Sequence, residues 1–153
     1  MKWQDVGDTE CPIARTLSVI GDRWTMLVLR NAFMRVRRFD DFQRSLGVPK
    51  HILSMRLKKL VEAQVLERTP YQSAPVRYEY RLTQRGKDLH AIILTMAGWG
   101  NQWMNEDKGP LMAYVHTDCG HVFHPVVACS ECGHEVRANT VMLAPPSPVT
   151  SMS

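Results

Sequence analysis

The sequence predicts an α+β fold in two parts, a mostly helical N-terminal unit closed by one β-hairpin and a small β-rich appendage. Three observations predict it. Apolar residues recur at helical spacing from Pro12 to Ala63, with breaks at Gly21 and Gly47. A single period-two stretch, Val76 to Leu82, follows those helices instead of alternating with them. Three of the four Cys and four of the six His then crowd into residues 112–137.

Taken in order, Pro12 to Ile20 reads as a first helix, with Ala14, Leu17, Val19 and Ile20 apolar. Asp22 is a plausible N-cap for a second, Arg23 to Phe33, which is apolar on most sides and therefore central to the core. Phe39, Phe42 and Leu46 mark a short third helix, and Gly47-Val48 a tight turn. Pro49 is tolerated as a first helical residue, and the fourth helix runs to Ala63. Its stripe of Leu53, Leu57, Leu60 and Val61 faces inward, leaving Lys50, His51, Ser54, Arg56, Lys58 and Lys59 outside.

Val65 to Tyr71 and Val76 to Leu82 are expected strands, joined by the polar loop Gln72-Ser73-Ala74-Pro75. Thr83 should cap a last, long helix reaching about Asn105, with Leu89, Ile92, Ile93, Met96, Trp99 and Trp103 as one apolar face. Gly98 and Gly100 on that helix would permit a second backbone to approach, which makes it a candidate homodimer contact.

Charge is the most uneven property of the chain. Thirteen of the nineteen Lys and Arg fall between Arg35 and Lys87 against five acidic residues, a net of +8. Residues 1–34 are neutral and residues 88–153 carry −4. A basic block on a structured segment is the footprint of a polyanion, since neutralised phosphates release condensed counterions. A short helix, a Gly-containing turn and a basic second helix followed by a hairpin form a winged helix-turn-helix, so double-stranded DNA is the expected partner. Lys50, His51 and Ser54, on the N-terminal half of the fourth helix, are the candidates for base edges. Lys58, Arg37 and Arg38 are candidates for phosphates, and Arg77, near the wing tip, for a minor groove.

Several short motifs occur in fixed order: Cys11-Pro12, Ile20-Gly21-Asp22-Arg23-Trp24, Leu29-Arg30, Arg38-Phe39, Leu53-Ser54 with Arg56-Leu57, and Pro75-Val76-Arg77-Tyr78-Glu79-Tyr80 with Leu82-Thr83. Through them residues 10–104 resemble the HxlR-type winged helix-turn-helix regulators, within the MarR-like superfamily. The resemblance implies a prokaryotic transcription factor acting as a homodimer on a near-palindromic operator. Pro49 departs from it, standing where the family often has a hydroxyl cap. The resemblance also makes Cys11 a redox-sensing candidate, because oxidant-sensing members use a Cys there; its place at a helix N-terminus favours a thiolate. The bland reading of Cys11 is a small buried hydrophobe. A small-molecule effector is left unspecified.

The third constellation is His116-x2-Cys119-Gly120-His121 and Cys129-x2-Cys132-Gly133-His134, with nine residues between Cys119 and Cys129. Two knuckles with ligands three apart and a following Gly suit a tetrahedral ion, so structural Zn2+ held by His116, Cys119, Cys129 and Cys132 is expected. His121, His124 and His134 are spare candidates for the nitrogen ligand. Free thiols or a disulfide are the alternatives.

The expected organisation is thus a winged-helix and dimerisation domain over 1–111, a zinc-ribbon-like module over 112–138 and a disordered Pro/Ser tail over 139–153. No apolar run approaches the ~20 residues that span a bilayer, and the N-terminus lacks a secretory core, so a cytoplasmic protein with reduced thiols is expected. Two rival functions come from the appendage: a zinc-ribbon adaptor that binds protein, or a zinc enzyme with Glu131 or Glu135 as general acid.

Overall fold

The structure is a computed structural model that describes residues 2–145, the side chains of Trp3 and Gln4 excepted. A 3-10 run over Trp3–Asp8, with no counterpart in the sequence reading, precedes α1 (Pro12–Ile20), α2 (Arg23–Phe33), α3 (Phe39–Leu46) and α4 (Lys50–Glu62). The hairpin β1 (Leu66–Ser73) and β2 (Val76–Leu82) follows, then α5 (Gln84–Lys87), α6 (His90–Trp103) and the short pair β3 (Tyr114–Val115) and β4 (Val122–Phe123).

The first four helices begin and end where their chemistry dictates. Asp22 caps α2 by accepting the Trp24 and Thr25 N–H groups at 3.0 and 3.1 Å. Gly47 closes α3 in the left-handed region at φ 62°, its N–H reaching the Gln43 carbonyl. Phe42, Leu29, Leu53, Leu57, Leu60 and Val28 are fully buried, so α2, α3 and α4 share one core, completed by Val48 and Leu66. Each such side chain contributes roughly 1.5–3 kcal/mol through burial. Within this core Asn31 is a buried polar residue; its Oδ1 accepts from Arg30 and its Nδ2 donates to Ser45 Oγ at 2.7 Å, linking α2 to α3.

Five sequence expectations change. Pro49 is the N-cap of α4 and not its first helical residue. The Gln72–Pro75 loop shrinks to Ala74-Pro75, because Ser73 pairs with Val76; a bulge at Tyr71 absorbs the register change. The helix from Thr83 to Asn105 is interrupted at Asp88-Leu89. Gly86 lies so close to the Val65 carbonyl that an added Cβ would sit 2.1 Å from that oxygen. The chain then tightens, with the Leu89 N–H bonded to Gly86 O, before α6 begins.

The apolar face expected on the last helix is really two faces. Ile93 is buried and Leu89 packs on the core, whereas Met96, Trp99 and Trp103 are exposed at 54%, 60% and 65%. Gly98, expected to admit a partner backbone, approaches Pro125 of its own chain instead, with 2.8 Å from an added Cβ to Pro125 Cγ.

The chain packs as two units that divide between Leu94 and Thr95, inside α6. In the second unit Asn101 clasps the Met112 backbone, donating to its carbonyl at 2.6 Å and accepting its N–H at 3.2 Å. No described residue of this unit is buried. A 3-10 turn over Ala138–Thr140 runs into the start of the expected tail, 141–145 has no regular structure, and 146–153 lies outside the described residues.

Candidate nucleic-acid interface

The α4 stripe of Leu53, Leu57 and Leu60 is anchored in the core, which fixes the opposite face outward. Lys50, Ser54 and Lys58 lie four residues apart along that face, with His51 beside them, and all four are exposed. Exposed Met55 (57%) stands among them, an apolar contact that the pattern of charges did not single out. Because Pro49 supplies no side-chain cap, the first-turn N–H groups of α4 are left for another acceptor.

Arg56, read from the sequence as part of the outward face, is withdrawn from it. Its Nε lies 2.8 Å from Asp22 Oδ1, and its Nη2 donates to Asp22 Oδ2 at 3.0 Å. Burial alone would raise the Asp22 carboxyl. The Thr25 N–H, the Arg56 charge, the Trp24 N–H and the Thr25 hydroxyl outweigh it and hold the pKa below the usual 3.8.

Arg37 and Arg38 are exposed in the loop that enters α3. The Arg37 carbonyl accepts the Tyr80 N–H at 2.7 Å, so this loop borders β2 as a partial third strand. Arg38 lies over the Tyr71 ring at 4.1 Å and Arg68 over Tyr78 at 3.7 Å. Between α3 and the hairpin an open cleft of about 490 Å3 is lined by Arg38, Arg44, Arg68 and Arg77, with Asp40 and Asp41 on its α3 side. Arg44 is paired with Asp41 at 3.1 Å, which leaves Arg38, Arg68 and Arg77 as the cationic wall. Tyr80 and Leu82 pack on the core, while Val76 and Tyr78 of the same strand face are exposed, since the hairpin outruns the body beneath it. The structure therefore gathers Arg37, Arg38 and Arg77 beside the hairpin, with Lys50, His51, Ser54 and Lys58 along α4. The Arg–Tyr stacks were missed because they join residues from different segments, Arg38 with Tyr71 at the bulge and Arg68 with Tyr78 across the hairpin.

A scan of family models matches residues 19–108 to the HxlR-like helix-turn-helix family. The chain belongs to the HxlR-like helix-turn-helix family. The HTH-type transcriptional regulator Rv3095 of Mycobacterium tuberculosis, itself uncharacterized, is 43% identical over 133 residues, spanning 87% of this chain and 84% of the relative. The solved structure of PA1607, a candidate transcription factor, has a TM-score of 0.81 and 34% identity over 90% of this chain and 96% of that one. HypR, a redox regulator solved in its reduced form, matches 63% of this chain and 95% of its own, with 30% identity and a TM-score of 0.57. With fold, basic face and family in agreement, this HxlR-like chain is a DNA-binding transcriptional regulator. Among the described residues no helix is long and apolar enough to cross a membrane.

The cysteines are all free thiols. Cys11 is exposed at the N-cap of α1, ahead of Pro12, so it is not the buried hydrophobe of the bland reading. In the appendage His116 and Cys119 are neighbours, with Nδ1 3.4 Å from Sγ. Cys129 and Cys132 form a second pair. The Cys132 N–H, the Glu131 N–H and the Cys132 side chain bond to the Cys129 sulfur and lower its pKa. Among the described residues no three His, Cys, Asp or Glu side chains gather round a single point that could hold a metal ion.

Proposed function

We propose that this regulator acts in the cytoplasm as a homodimer on a near-palindromic operator, with α4 in the major groove and the hairpin as a wing. The carrying observation is the α4 face, where Lys50, His51, Ser54 and Lys58 are exposed over a buried leucine stripe. Lys50, His51 and Ser54 read base edges; Lys58, Arg37 and Arg38 hold phosphates; Arg77 reaches the minor groove. The open first-turn amides of α4 fit a phosphate oxygen at the point where the helix enters the groove. Met96, Trp99 and Trp103, exposed along α6, suit burial against a second copy, and an isologous pair spaces two α4 helices over two half-sites. Membership of a family of transcriptional regulators supports regulation without catalysis.

Genomic footprinting followed by fluorescence anisotropy on matched and scrambled operators tests this reading. Specific binding should exceed binding to the scrambled duplex by at least ~10^3-fold at physiological salt. Equal affinity for both duplexes, or none at low salt, overturns it and favours a protein-binding adaptor.

A redox response at Cys11 is a second reading. It rests on the exposed position of that thiol before Pro12 and on the likeness to HypR. Diamide should weaken or strengthen operator binding in the wild type and leave Cys11→Ser unchanged; the same response in both would exclude Cys11.

A further inference from the structure

We infer that the appendage is a metal-dependent fold in which His116, Cys119, Cys129 and Cys132 bind one Zn2+ between two knuckles. The two knuckles share one backbone design. In the first, Gly120 N–H bonds to His116 O at 2.7 Å and His116 N–H to His121 O at 2.9 Å. In the second, Gly133 N–H bonds to Cys129 O at 2.8 Å and Cys129 N–H to His134 O at 2.9 Å. Gly120 and Gly133 take φ of 72° and 74°, the left-handed turn that brings the residue four before each Gly alongside the residue one before it. Thus each knuckle holds its two candidate ligands on one side of a tight turn, and does so twice with the same bonds.

Within a knuckle the spacing already suits an ion. A tetrahedral centre with Zn–S of ~2.3 Å and Zn–N of ~2.0–2.1 Å holds sulfur and nitrogen roughly 3.6 Å apart. His116 Nδ1 and Cys119 Sγ stand 3.4 Å apart. The other ring nitrogen, Nε2, faces Asp118 Oδ2 at 3.7 Å, the carboxylate placement that orients a metal-bound imidazole. That geometry selects His116 as the nitrogen ligand. His121 and His134 serve the knuckles through backbone carbonyls, and His124 lines a cavity with Asn101 and Pro125.

The energetic need is equally plain. β3 and β4 are two residues long, and the second hairpin has the Ala128–Glu135 bridge and the Val136–Val127 bond. Val115, Val122, Val126 and Val127 are each more than half exposed. Two such hairpins, with no buried residue among those described, lack the core that would hold them together. The two ligand pairs are preformed but not gathered on one point. An ion that binds three thiolates and an imidazole, releasing the thiol protons to solvent, draws the hairpins together and supplies the missing stability. Four protein ligands leave no open position, so the ion is structural.

The untagged full chain, purified under reducing anaerobic conditions, should carry one zinc per chain by mass spectrometry. Stripped and titrated with Co2+, it should show thiolate-to-cobalt charge transfer and the intense visible bands of a tetrahedral site. The Cys129→Ser/Cys132→Ser double variant should bind neither ion while keeping its helical circular dichroism, which excludes global unfolding. Asp118→Ala should weaken metal binding by ~10–100-fold. His116→Ala should shift the cobalt bands, and His121→Ala and His134→Ala should not. A chain that takes up no zinc or cobalt after reduction overturns the inference, as does undiminished uptake by the double variant.

Discussion

Asp22 and Arg56 join the first turn of α2 to the middle of α4: Arg56 Nε lies 2.8 Å from Asp22 Oδ1 and Nη2 donates to Oδ2 at 3.0 Å. One carboxylate therefore caps α2 and positions α4, the helix proposed to enter the major groove. Asp22→Asn keeps a side chain that can cap but removes the charge, and should cost ~1 kcal/mol at neutral pH. The folded-state pKa of Asp22 is depressed, so its contribution is present above the unfolded value of 3.8 and disappears as pH falls through the lower folded value. Urea titrations of both proteins should show the stability gap closing below about pH 4. A gap that persists at pH 2 would mean that charge is not its source.

Lys50 and Lys58 stand on one exposed face of α4, yet they should behave differently. Lys58→Ala should weaken binding to all duplexes alike and reduce the slope of log K against log salt by about 1. Lys50→Ala should in addition cost ~1–3 kcal/mol of discrimination at one operator position. Salt-dependent anisotropy on matched and single-substituted operators measures both. Identical relative losses for the two variants would remove Lys50 from base reading.

Gly86 has no room for a methyl group. A Cβ there would meet the Val65 carbonyl oxygen at 2.1 Å, and that carbonyl also receives the Thr83 N–H and hydroxyl, each at 3.2 Å. Gly86→Ala should destabilise the N-terminal unit by about 1–3 kcal/mol, read as a lower urea midpoint. An unchanged midpoint would show that the turn at Asp88-Leu89 yields freely.

Trp99 and Trp103 lie exposed on α6, one helical turn apart. Trp99→Glu should convert a dimer to a monomer in sedimentation velocity and lower operator affinity by at least ~10-fold, since each monomer then holds one half-site. Unaltered sedimentation would place the dimer contact elsewhere.

Much of the N-terminal unit could be read from residue order because its signals are local. The limits of α1, α2 and α3 follow from Pro12, the Asp22 cap and Gly47, and the leucine stripe of α4 determines which of its side chains face out. What escaped the sequence depends on distant partners. Arg56 has the same local spacing as its exposed neighbours, and only its contact with a carboxylate 34 residues away withdraws it. The break before α6 originates in the Val65 carbonyl, and the use of Gly98 in Pro125. In the appendage the repeated Cys and Gly spacing already pointed to His116 with the three cysteines, and the structure adds the distances from His116 to Cys119 and Asp118.

The bond between the Arg37 carbonyl and the Tyr80 amide has a thermodynamic consequence. It ties the segment carrying two arginines to a hairpin nearly half the unit away in sequence, so the span between those cations and the wing is fixed before any duplex arrives. Less disorder is then lost on docking, and under the proposed function discrimination between sequences falls to the short row of side chains on α4.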